Sequence, residues 1–196
     1  MLVVGPSGAG KDTLIRGARE ALRHVRAVTF PTRIITRPPK PGAEVHHAVT
    51  TDEFDHLLAC RALALHWAAY EYRYGLPQGI EDDLAAGRTV VANVSRAVID
   101  EARRRYQPLQ VIRISVPEAI RACRLAERGR EHGAERQQRL ARGSGPDVTG
   151  PDVLELDNGG ATDDAIDGLV AMIVAALNCP ADTVPPERTV RLRLPA

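Results

Sequence analysis

The stretch "GPSGAGKDT" occupies residues 5–13 and decides how the rest of the chain is read. Gly5, Gly8 and Gly10 allow the backbone to curl so that successive N–H groups point at one place. The apolar run Leu2-Val3-Val4 precedes the loop, and Leu14, Ile15, Ala18 and Leu22 follow it at helical spacing. The loop therefore joins a buried strand to the start of a helix. Backbone N–H groups, the positive end of the helix dipole and the mobile cation Lys11 converge there, which makes a phosphate site. Gly5, Pro6, Ser7, Gly8, Ala9, Gly10, Lys11, Asp12 and Thr13 form the expected ATP-binding set.

One position departs from the usual loop. After Gly10-Lys11 a Ser or Thr hydroxyl normally holds magnesium, but here Asp12 stands there and Thr13 comes one residue late. A carboxylate beside a triphosphate is repelled unless a cation lies between them, and Mg2+ accepts carboxylate oxygens. The second usual anchor is an acid at the end of a central strand. Here that strand reads "VVANVSR" (90–96) and carries Asn93 instead. Asp12 is thus a candidate metal ligand that replaces a missing strand acid. The alternative is that Asp12 merely suits the helix N-terminus through the dipole.

The remaining sequence alternates strands and helices. Extended segments are expected at 27–30 and 33–37, and a helix from Thr51 or Asp52 to Cys60, capped by one of those two residues. A strand is expected over 62–67, a loop over 72–77, and a helix from Ile80 to Ala86 stopped by Gly87. Next come a buried strand at 89–94, a helix at 95–106 capped by Ser95, and a strand at 109–115. A helix opened by Pro117 runs through Arg128, followed by a strand at 153–157 and a helix from Thr162 to Asn178. This order implies an α/β fold, with a central parallel sheet flanked by helices. Residues 1–178 read as a single domain and 179–196 as a tail without an assignable role.

Composition narrows the function classes. The chain has 196 residues, 44% of them hydrophobic and 26% charged, with a net charge of +1. That is ordinary for a globular protein and lacks the broad basic surface of a nucleic-acid binder. The charge is nevertheless uneven. Arg121, Arg124, Arg128, Arg130, Arg136, Arg139 and Arg142 crowd one segment, which suits a small anionic ligand. Lys11 and Lys40 are the two lysines among 26 basic residues. Cys60, Cys123 and Cys179 are widely spaced and form no C-x-x-C, which fits a reducing cytoplasm. No apolar run is long enough to span a membrane, and "MLVVG" runs into the loop without a signal peptide. Small-molecule substrates are the expected partners.

Beyond the loop, "ITRPPKPGAE" (35–44) resembles the T-T-R-x-x-R-x-G-E segment by which guanylate kinases hold an acceptor phosphate; Thr36, Arg37, Lys40, Gly42 and Glu44 fit it. "YGLP" (74–77) resembles their Y-G-T-P, "RLAERGRE" and "RQQRL" their arginine lid, and "LDNGG" the segment after the lid. The resemblance implies a P-loop nucleoside-monophosphate-kinase-like fold. Its acceptor-binding insert would lie at about 32–80 and its lid at about 129–150.

The departures point to one branch. "ALHW" places His66 where guanylate kinases have the glutamate that reads guanine, and a histidine cannot accept both guanine N–H groups as a carboxylate does. "GKDT", "LHW", "NVSRAVI" and "RGRE" together are similar to ribose 1,5-bisphosphate phosphokinases. These phosphorylate a sugar phosphate to 5-phosphoribosyl 1-diphosphate during phosphonate breakdown. The resemblance implies ATP and Mg2+ as cofactors, and Lys11, Arg124, Arg128 and Arg130 as catalytic cations. Arg124 and Arg128, four residues apart on one helix, share a face. Arg37, Lys40, His66, Tyr74, Ser95 and Arg96 are the candidate substrate-binding residues, with His46 and His47 as further candidates. Trp67 reads as core.

Two other readings stay open. Family members carry Ala-His-Gly where this chain has Ala69-Tyr70-Glu71, and a base-reading Glu71 would make it a kinase of GMP or another nucleoside monophosphate. A non-catalytic guanylate-kinase-like binding module would usually have lost the loop that is intact here.

Overall fold

The computed structural model describes residues 1–39, 44–127 and 147–178. Its centre is a parallel sheet in the order β10-β9-β1-β8, built from β1 (Leu2–Val4), β8 (Ala92–Asn93), β9 (Val111–Ser115) and β10 (Val153–Asp157). The stretch expected as one strand over 89–94 pairs on both sides in turn. Its first half, β7 (Thr89–Val90), runs parallel to β2 (Val28–Thr29), and β8 runs parallel to β1. The N–H groups of Thr89 and Val91 donate to the carbonyls of Ala27 and Thr29, whereas those of Ala92 and Val94 donate to Met1 and Val3. The α/β class with a parallel sheet is therefore the observed architecture.

Side-chain alternation explains why both faces are covered. Val3, Val91, Ile112 and Ile114 point to one face, where α1 (Lys11–Ala21) and α6 (Thr162–Leu177) supply Leu14, Ala18, Leu169 and Ile173. Leu2, Val4, Val90, Ala92 and Val94 point to the other face. There they meet α4 (Ile99–Arg105) and a smaller mixed sheet, β4-β3-β6-β5. That sheet comprises β3 (Ile34–Ile35), β4 (His47–Ala48), β5 (Leu63–Ala69) and β6 (Tyr72–Pro77). Ile35, Leu65, Trp67, Tyr74 and Leu76 from it share a core with Leu2 and Val4. The insert is thus seated on the main sheet by apolar burial, which fixes where its polar residues stand. α2 (Thr51–Ala59), α3 (Ile80–Ala85) and α5 (Glu118–Glu127) complete the described elements.

Two local expectations are corrected. Residues 72–77 form β6 and not a loop. Gly75 and Pro77 suggested a break, but Pro77 ends the strand and Gly75 makes room for Leu63 of β5, whose methyl carbons would lie 2.9 Å from an added Cβ. The cap of α2 is Thr50, one residue earlier than expected. Its side chain accepts from the Glu53 N–H, and Glu53 accepts from the Thr50 N–H in a reciprocal capping box. Ser95 does cap its helix, accepting from the Ala97 N–H at 3.3 Å ahead of a short 3-10 turn, Arg96–Val98.

The donor loop depends on how α1 packs against α6. A Cβ on Gly17 would lie 2.4 Å from Ile166 Cδ1 and 2.8 Å from its Cγ1. Gly17→Val should therefore destabilise the protein by about 1–3 kcal/mol through overpacking. The readout is a lower urea midpoint at unchanged slope; an equal or higher midpoint contradicts this packing.

Candidate active site

The loop 5–13 follows β1 and opens α1, at the carboxyl edge of the parallel strands where ligands collect in open α/β sheets. Gly10 takes a left-handed conformation, φ +85°, directly before the helix. An added Cβ there would stand 2.5 Å from Asn158 Nδ2, so the position needs glycine on two counts. Lys11 folds over its own loop, and Nζ donates to the carbonyls of Gly5 at 2.8 Å and Pro6 at 2.9 Å. Asn158, just after β10, is almost fully buried. Its Nδ2 donates to the Ala9 carbonyl at 2.7 Å, and its own N–H donates to Ser115. The loop is thereby tied to the end of a second strand.

Arg33 lies next to the loop and is buried to 9% exposure. Its Nε donates to Glu44 Oε1 at 2.6 Å and its Nη2 to Glu44 Oε2. Nη2 also reaches Asp12 Oδ1 at 3.3 Å, and Nη1 reaches the Asn93 carbonyl at 3.4 Å. Burial opposes the cation. The Glu44 hydrogen bond and the Asp12 charge outweigh that, so the guanidinium pKa stands above its ordinary value. Asn93 Nδ2 donates to the same Asp12 Oδ1 at 2.5 Å. The loop acid therefore touches the strand position that lacks an acid.

These groups border a cavity of about 420 Å³. The loop lines it, as do Arg37, Tyr74, Ser95 and Arg96, together with Trp67 and Tyr70. Trp67 is core, as expected, yet it also faces this cavity and stacks on Tyr74 with centroids 5.6 Å apart and planes at 3°. Arg33 lies over the same Tyr74 ring at 5.7 Å. Arg124 approaches the loop from α5, with Nη1 3.8 Å from where a Gly10 Cβ would be. That nitrogen is buried with no hydrogen-bond partner among the described residues.

Some expected residues lie elsewhere. His66 is corrected: strand alternation turns its exposed ring away from Leu65 and Trp67 to the opposite face of β5, where it lines a separate depression with Arg61, Gln78 and Arg105. His46 sits between backbone carbonyls, with ring nitrogens 3.0 Å from Glu44 O and 2.8 Å from Arg37 O. His47 is exposed on β4. Lys40, Arg128 and Arg130 lie outside the described residues, as do most of the lid at 129–150 and the tail from 179.

Arg33 and Asn158 escaped the sequence reading. Arg33 is one of many arginines, and its burial, which Arg121 shares, and its contacts to Glu44 and Asp12 appear only in the fold. Asn158 carried a signal, since "LDNGG" ends a strand opposite the loop.

A strand–loop–helix phosphate cradle beside further cations defines a P-loop kinase. No protein-family model matches the chain. Ribose 1,5-bisphosphate phosphokinase PhnN of Acidiphilium cryptum is 53% identical to it over 146 residues, covering 74% of this chain and 77% of that protein. The protein of the same name from Pseudofrankia inefficax is 44% identical over 181 residues, covering 92% and 93%. The chain belongs to the ribose 1,5-bisphosphate phosphokinase family. Among solved structures, guanylate kinase from Anaplasma phagocytophilum matches with a TM-score of 0.65 at 14% identity, covering 92% of this chain and 86% of that one. That likeness concerns the fold alone.

Asn158→Ala removes the side-chain tie to Ala9 and should weaken ATP binding about tenfold, while costing roughly 1 kcal/mol of stability. Calorimetric titration and urea unfolding read the two effects. Unchanged ATP affinity contradicts a positioning role for Asn158.

Proposed function

We propose that the protein transfers the γ-phosphoryl group of ATP to the 1-phosphate of ribose 1,5-bisphosphate, giving 5-phospho-α-D-ribose 1-diphosphate in phosphonate breakdown. The observation that carries this reading is one cavity lined both by the phosphate loop and by Arg37 and Arg96. A sugar phosphate is already an anion and needs no base to become a nucleophile. The two carboxylates lining the cavity, Asp12 and Glu44, both hydrogen-bond to Arg33. They serve positioning, and the chemistry rests on alignment and charge neutralisation.

The loop N–H groups and Lys11 hold the β- and γ-phosphates, with Lys11 exchanging loop carbonyls for phosphate oxygens. Arg124 brings charge to the transferring group from α5, and Arg128 and Arg130 are assigned the same task from the sequence. Arg37 takes an acceptor phosphate. Arg96 and Ser95, at the strand end, take the other phosphate or the ribose hydroxyls, and Tyr74 forms the floor. Lys40 is assigned to the acceptor phosphate from the sequence.

The residues present suit Mg2+. Asp12 and Thr13 offer hard oxygen donors at the loop, and magnesium binds through few protein oxygens while keeping several waters. Among the described residues no group of three His, Cys, Asp or Glu side chains is arranged for a tighter metal site. When bound, magnesium neutralises charge across the β- and γ-phosphates. The contact between Asp12 and Asn93 supports Asp12 as the relocated magnesium acid.

The free cysteines Cys60 and Cys123 suit a reducing cytoplasm. No helix among the described residues is long and apolar enough to cross a membrane.

Incubation with ATP, Mg2+ and either ribose 1,5-bisphosphate or GMP, with the products weighed by mass spectrometry, tests the acceptor. Turnover of the bisphosphate with GMP inert is expected; efficient GMP turnover with none on the bisphosphate sinks the proposal. Asp12→Ala should raise the half-saturating magnesium concentration about tenfold. An unchanged magnesium profile removes Asp12 from the metal site.

A further inference from the structure

Glu44 stands between two arginines and serves them unequally. Arg33 holds it at two points, Nε to Oε1 at 2.6 Å and Nη2 to Oε2. Such a forked pair is both strong and directional. Arg37 Nη2 lies 3.8 Å from the same Oε2, within reach of ionic attraction but too far for a hydrogen bond. Glu44 is therefore the counter-ion of Arg33 first. The Arg33 side chain is 10% exposed and that of Arg37 23%. Arg33 also spans to the donor side through Asp12 Oδ1 and the Asn93 carbonyl, and it rests over Tyr74. Every one of these contacts is to protein.

We propose that Arg33 is a positioning residue for the acceptor: by holding Glu44 in a two-point pair it keeps that carboxylate off Arg37, and so leaves Arg37 to an acceptor phosphate. Its third contact, to Asp12, sets the donor loop in register with the same point. Electroneutrality gives the reason. Without the Arg33 charge, Glu44 is a largely buried carboxylate whose remaining ion-pair partner among the described residues is Arg37, 3.8 Å away. Glu44 then competes with the acceptor phosphate for one guanidinium. Arg33 would thus govern acceptor affinity without touching the acceptor.

This inference rests on the proposed reading only in requiring an anionic acceptor at Arg37. Should GMP prove to be the acceptor, the same comparison is made with GMP, so the two claims fail separately. Steady-state kinetics with ATP and acceptor varied in turn distinguish the sides. Arg33→Met should raise the acceptor KM at least about tenfold and shift the ATP KM less than about threefold. Arg33→Met combined with Glu44→Gln removes the competing charge as well, and the acceptor KM should return to within about threefold of the parent value. Arg33→Lys, a cation with a single-point grip, should fall between. A double variant no better than Arg33→Met, or an ATP KM that rises as much as the acceptor KM, overturns the proposal.

Thermal unfolding of each variant separates loss of fold from loss of affinity. If Arg33→Met does not fold, Glu44→Gln alone gives the answer. Relieved of the residual pull on Arg37, its acceptor KM should stay level or fall. A rise of about tenfold would mean that Glu44 itself serves the acceptor, which contradicts the proposal.

Discussion

One buried cation, Arg33, touches three parts of the chain that border the site. Its guanidinium binds Glu44 of the insert, Asp12 of the donor loop and the Asn93 carbonyl at the end of β8. Such a group is tolerated inside a protein only when its donors are satisfied. Removing one partner of a buried pair costs roughly 3–5 kcal/mol, so the arrangement is held to one geometry. The insert is otherwise held by its apolar core and by contacts of Arg105 and Tyr106 to the Ala64 carbonyl, away from the cavity. Arg33 orders the charges.

From that follows how the site handles two highly anionic substrates. Phosphates repel, and bringing two of them together requires cations whose own neighbours do not neutralise them beforehand. Asp12 and Glu44, the two carboxylates bordering the cavity, are both drawn to Arg33. Lys11 donates to two loop carbonyls, which phosphate oxygens can displace. Arg37 keeps a loose relation to Glu44. The two carboxylates are thus compensated by Arg33, while Arg96 lies 3.9 Å from Asp147.

The fold was legible because its decisive features are local. Glycines at fixed spacing between an apolar run and a helical pattern can form only one kind of loop, and strand-helix alternation then implies a parallel sheet. The strand, loop and helix that carry the expected donor residues were readable for the same reason. The acceptor side was less so, because it is assembled from segments distant in sequence. His66 and Trp67 are neighbours, and which of them faces the cavity depends on the register of β5 against β6, which no local pattern states. Arg33 looked like any arginine of an arginine-rich chain, since its contacts to Glu44 and Asp12 exist only in the fold. Asp12 and Asn93 were linked by reasoning about a missing charge, and they lie in hydrogen-bond contact although 81 residues apart.

The central claim is that one phosphate attacks another, between a loop-bound donor and an arginine-bound acceptor, with no base required. Phosphorus NMR with ATP labelled by 18O at the γ-phosphoryl group tests it most directly. The account predicts that the label moves intact into the terminal phosphate of a new 1-diphosphate on the pentose, coupled to the phosphorus that was already there. Label released as inorganic phosphate, or found on a sugar hydroxyl or on the 5-phosphate, would contradict it.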